Sequence, residues 1–144
     1  MMFPSHLRVL ILGALLLLAG CATISQFDHH AYVHTIDAKV EALNVMGLAT
    51  EDYSAHRQEI REVQKALDKI YEYERNRRNN ETTLMLWDKL RDTSGNLWGG
   101  FVKKWKEEKT LRPFFIQEKK EQVAQAFDII AQLESKKIKP KDIK

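Results

Sequence analysis

His29, His30 and His34, with Asp28 and Asp37, form the one group of side chains in this chain whose types could hold a transition metal. His30 and His34 are four residues apart, so on a helix both imidazoles leave the same side, and Asp37 follows three residues later. That spacing permits zinc or copper. Against it, no His-Glu-x-x-His pattern is present, these residues fall on the polar side of their segment, and a metal site needs shielding and an outer shell of partners. The sequence therefore reads as having no metal and no cofactor, with His30, His34 and Asp37 as the candidates should one exist.

The other chemistries find less. Cys21 is the only cysteine. Ser25, Ser54, Ser94 and Ser135 have no neighbours that would activate a hydroxyl, and neither a Gly-x-Ser-x-Gly elbow nor a phosphate-cradling loop occurs. Carboxylates such as Glu72, Glu74, Asp88 and Glu118 are numerous, but along charged helices they are expected to be solvated or paired with Lys and Arg. A glycosidase acting on the cell wall would need two of them facing each other across a cleft. The chain is read as a non-enzyme.

The elements that must position these residues follow a helical period throughout. Tyr32, Ile36, Val40, Leu43 and Met46 predict one face of a helix over 27–49. Ile60, Val63, Leu67, Ile70 and Tyr71 predict a second over 55–75, with Thr50 or Ser54 as its cap. Leu84, Trp87 and Leu90 mark a short third helix capped by Thr82 or Thr83. Asp92-Thr93-Ser94-Gly95-Asn96 is a turn in which glycine and asparagine accept positive φ. Leu97, Phe101 and Trp105 mark a fourth helix in which Gly99-Gly100 allow either close backbone approach or a kink. Pro113 opens the last helix, whose face runs Ile116, Val123, Phe127, Ile130 and Leu133 and which ends before Pro140. No segment alternates with a two-residue period. The expected fold is all-α, a small antiparallel bundle of three long and two short helices.

Two surfaces invite a partner. Trp87, Trp98, Trp105, Phe101, Phe114 and Phe115 fall within thirty residues, and most such aromatics face a core. The functional alternative is a patch made by Trp98, Gly99, Gly100 and Trp105 together with Arg75, Arg77 and Arg78 from the polar loop after the second helix. The basic runs are not gathered on one face as nucleic acid requires, so no nucleic-acid partner is expected. They could instead face lipid phosphates.

The N-terminus gives an address. Arg8 precedes the apolar run from Val9 to Leu18, too short for the roughly 20 apolar residues that cross a bilayer, and the run ends in Leu18-Ala19-Gly20-Cys21. This order resembles the bacterial lipoprotein family, with its signal peptide and lipid-attachment box. The resemblance implies cleavage before Cys21, a diacylglyceryl group on its thiol and a further acyl chain, such as palmitate, on the new amino terminus. Ala22 lacks the carboxylate that in that family favours the inner membrane, which implies the outer membrane, facing the periplasm or the cell surface. Two or three acyl chains hold a protein stably, since each buried methylene contributes about 0.8 kcal/mol.

The domain reading is then a signal peptide at 1–20, a lipidated linker at 21–26, a helical domain at 27–137 and a basic tail at 138–144. Cleavage removes Arg8 and no carboxylate, leaving 22 cations against 20 anions. Tyr71-Glu72-Tyr73 and Gly99-Gly100-Phe101 with Trp105-Lys106 resemble small helical lipoproteins of unknown role. Lys144 resembles the terminal lysine by which the murein lipoprotein joins peptidoglycan, although that protein is a continuous coiled coil. The expected function is a membrane-anchored, non-enzymatic interaction or accessory module for another envelope protein or the wall. The alternatives are a small-molecule or metal-binding bundle using His30 and His34, a peptidoglycan tether through Lys144, or a wall-active enzyme.

Overall fold

The Asp28 carboxylate accepts bonds from the amides of His30 (2.8 Å) and Ala31 (3.1 Å), satisfying donors that a helix start leaves free, and α1 runs from there over His29–Gly47. This is a computed structural model, and it describes residues 25–136 and 138–143. The leader at 1–20, the box Leu18-Ala19-Gly20-Cys21, and the lysines at 137 and 144 lie outside the described residues. No helix among the described residues is long and apolar enough to cross a membrane.

The buried face of α1 shares only Met46 with the expected row. Ala31, Thr35, Ala38, Ala42, Val45 and Met46 are buried, whereas Tyr32, Ile36 and Leu43 are half-buried and Val40 is 53% exposed. Two rows of the same period lie side by side on this helix. The row of small residues turns inward because α1 is flanked by two long helices, and alanines let both backbones come close. Thr35 is tolerated there because its hydroxyl donates to the Ala31 carbonyl at 2.8 Å.

A 3-10 turn at Tyr53–His56 delays α2, which spans Arg57–Arg75. Neither Thr50 nor Ser54 caps it. Asp52 caps the turn instead, accepting from the Ser54 amide at 2.8 Å. Ile60, Val63, Leu67 and Ile70 are buried as their spacing predicts, Tyr71 is half-buried, and Glu74 completes the buried row.

The third helix, α3, covers Glu81–Arg91 and starts after Asn80, not at Thr82 or Thr83, the latter being buried in the first turn. In the following turn Asp92 accepts from both the amide and the hydroxyl of Ser94. Gly95 and Asn96 do not take positive φ. Among the described residues that conformation belongs to Asn79, Lys109 and Lys136.

The fourth helix, α4, covers Trp98–Glu108 without interruption, so Gly99-Gly100 serve close approach and not a kink. A Cβ at Gly99 would lie 2.2 Å from the Arg91 carbonyl oxygen, and one at Gly100 would lie 1.8 Å from that of Gly95.

The last helix, α5, spans Pro113–Glu134 with its expected face buried, and it ends where Lys136 turns left-handed, ahead of Pro140. The tail then closes into a short turn at Pro140–Asp142, in which Asp142 accepts from the Lys139 amide.

These five helices make an all-α bundle, with no strand among the described residues. Asp28 meets Glu134, Lys39 pairs with Asp128 and Gly47 lies beside Lys120, so α1 and α5 run in opposite directions. His30 touches Tyr73 at one end while the 48–56 connection joins the other, so α1 and α2 also oppose each other. The short pair closes the core with aromatics. Trp87 stands edge-on to Phe127 at 5.9 Å, and Phe101 contacts both Trp105 and Phe115 at 6.3 Å.

Candidate functional site

The surface expected around Trp98 and Trp105 does not exist as a surface. Trp98 is 1% exposed and Trp105 0%, Gly99 is buried and Gly100 half-buried. Each indole N–H is satisfied internally, that of Trp98 by the Gln64 side chain (3.3 Å) and that of Trp105 by the Glu51 carbonyl (3.0 Å). The glycines let α4 sink against the α3–α4 turn, which carries both tryptophans inward. Phe114, by contrast, is 81% exposed.

The three arginines part company as well. Arg75 and Arg78 are exposed, Arg75 beside Glu72 at 3.1 Å. Arg77 turns into the end of the bundle. It bonds both oxygens of Glu74 (3.1 and 2.9 Å) and both oxygens of Glu134 (2.8 and 3.0 Å). Asn80 donates to the Glu74 carbonyl and carboxylate, and Glu74 and Glu134 are buried to 1% and 3% exposure. Burial pushes the Glu74 carboxyl up, against the pull of Asn80 and Arg77. Burial also opposes the charge on Arg77, but its bonds to Glu134 and the field of Glu74 outweigh it and raise its pKa.

This cluster fastens the incoming chain. Arg77 donates to the Gln26 carbonyl, the Asp28 amide to Glu134, Tyr73 to the Asp28 carboxylate and Ser25 to Asn80. Ser25 and Gln26 are therefore bonded to the helical domain. Glu74 and Glu134 are the two carboxylates that burial brings closest to an enzyme-like pair, and their oxygens are taken up by Arg77, Asn80 and the Asp28 amide. Sequence reasoning missed the cluster, although Glu74 and Glu134 each follow an apolar residue of a buried row by four positions.

What stays open is a groove of about 540 Å3 between α1 and α2. Its floor is Ala31, Ala38, Ala66 and Ile70, residues too short or too deep to fill it. His30, His34, Asp37 and Glu41 line one wall, and Glu62, Lys65, Lys69 and Tyr73 line the other. The metal candidates thus sit here, the rings of His30 and His34 edge-on at 4.0 Å. Among the described residues, no three His, Cys, Asp or Glu side chains gather as a metal ion would need.

No family model, curated protein or solved structure matches this chain.

Among the described residues, some surface charges are paired within the protein and many others, in the groove and outside it, are not. Arg91 pairs with Asp68, Lys104 with Glu108 and Lys39 with Asp128. Asp37, Glu41, Glu62, Lys65 and Lys69 form no ion pair among the described residues, although charges of both signs line the same channel. Their hydrogen-bonding capacity is left to solvent or to a ligand.

Proposed function

We propose that this protein is a lipid-anchored component of the bacterial cell envelope, fixed in the outer membrane through acyl chains on Cys21. It acts without catalysis, presenting the α1–α2 groove to another envelope component or the wall. The observation that carries the reading is the attachment sequence Leu18-Ala19-Gly20-Cys21, which ends four residues before the chain is fastened to the domain at Ser25. Four extended residues span at most about 14 Å. With the chain fastened by Arg77, Glu134 and Asn80, the domain would stand close to the bilayer in a set orientation. Exposed Arg75, at the end of α2, and Arg78, in the loop after it, lie beside the fastening point, where lipid phosphates would attract them.

The test is cross-linking in cells from a photoreactive residue at position 41, in the groove, and at position 85, an exposed site on α3. Position 41 should capture a discrete envelope product that disappears when Cys21→Ser releases the domain from the membrane. Identical products from positions 41 and 85, or a captured set indifferent to Cys21→Ser, would refute the reading.

A further inference from the structure

The groove has an order of charge along its length. Because α1 and α2 run in opposite directions, His30 faces Tyr73 at the end near Ser25, His34 lies at the level of Lys69, and Asp37 at that of Lys65. Glu41 and Glu62 both line the far end. One end therefore offers a lysine and two imidazoles, each able to donate a hydrogen bond, and the other offers two carboxylates, which accept when ionised. Between them lies the alanine floor.

We propose that this groove binds a short peptide with free termini, its carboxylate toward Lys69, His30 and His34 and its amino group between Glu41 and Glu62. This names the occupant of the groove advanced above as the binding surface, and rests on that reading. The length follows from helix geometry. From His30 to Glu41 is about 16 Å at 1.5 Å per residue, which an extended peptide of about four or five residues covers at about 3.3 Å each. A floor of Ala31, Ala38 and Ala66 accepts small aliphatic side chains and supplies apolar contact without competing for the polar ends. A polyanion would meet Glu41 and Glu62, and a polycation would meet Lys65 and Lys69. A zwitterion of the right length is opposed at neither end, and each terminus gains a charge-assisted bond from a group that has no ion-pair partner among the described residues.

The probe is tetra-alanine, titrated calorimetrically into the full-length chain purified in detergent, beside its N-acetyl, C-amide and doubly blocked forms. Free tetra-alanine should bind with one-site saturation, and each single block should weaken it about tenfold, the size of one charge-assisted bond. Lys69→Glu should remove the penalty for blocking the carboxylate, and Glu41→Gln with Glu62→Gln the penalty for blocking the amine. Equal affinity for free and doubly blocked peptide, or no saturable binding of any form, overturns the proposal. If position 41 still cross-links to an envelope product in that case, the groove stands and only its occupant is wrong. If that capture fails too, the groove reading falls with it.

Discussion

Gly100→Ala should destabilise the protein by about 3 kcal/mol or more, lowering the midpoint of thermal unfolding by about 10–15 °C for a domain of this size. The added Cβ would sit 1.8 Å from the Gly95 carbonyl oxygen, a backbone atom held in the turn that Asp92 organises through Ser94. No rotamer change relieves that overlap, so α4 must move away from the turn and carry Trp98, Phe101 and Trp105 out of their contacts. Gly99→Ala meets the Arg91 carbonyl at 2.2 Å and should behave alike. Gly47→Ala is the control. Its Cβ would find only the Lys120 ammonium, at an ordinary 3.5 Å, and alanine is the better helix former by about 0.8–1 kcal/mol. Melts followed by circular dichroism separate the cases: Gly100→Ala within about 2 °C of the wild type would contradict the packing of α4 described above.

Arg77→Met should cost about 3–5 kcal/mol at neutral pH, because it leaves Glu74 and Glu134 buried without their cation. The pH dependence identifies the cause. Without Arg77, burial holds the folded-state Glu74 carboxyl above the ordinary glutamate value of about 4.3. A group whose folded pKa is raised loses its stability contribution as pH climbs through that pKa, so the deficit should be largest at neutral pH and shrink toward acid. Adding Glu74→Gln and Glu134→Gln to Arg77→Met should restore most of the stability and flatten the profile, since amides can still accept from Asn80 and from the Asp28 amide. A deficit independent of pH, or one the triple variant leaves in full, would show that the ionic contacts are not what fastens this end.

How far residues announced their positions depended on whether the buried row of their helix is made of bulky or of small residues. The rows on α2 and α5 were legible because bulky apolar residues recur on one face and that face is buried. On α1 the bulky row Tyr32–Ile36–Val40–Leu43–Met46 is fully buried only at Met46, because between two long neighbours closeness of approach outweighs side-chain volume. Trp98 and Trp105 suggested a docking surface through their type and neighbouring glycines. The same glycines, by removing the Cβ atoms that would hold α4 off the turn, are what bury them. Glu74 and Glu134 were visible as acids in buried registers, but their joint capture of Arg77 depends on where α2 ends against α5, which no local pattern specifies. For the groove, the charges of His30, His34, Asp37, Lys65 and Lys69 could be read from the sequence, whereas its openness comes from three alanines on two helices.

Much of the functional account depends on what becomes of residue 21. Mass spectrometry of the N-terminal peptide from protein extracted from its native membrane decides it. The expected peptide begins at Cys21 and carries a diacylglyceryl thioether with an acylated amine. A free thiol at Cys21, or a peptide that still contains Leu18-Ala19-Gly20, would contradict it.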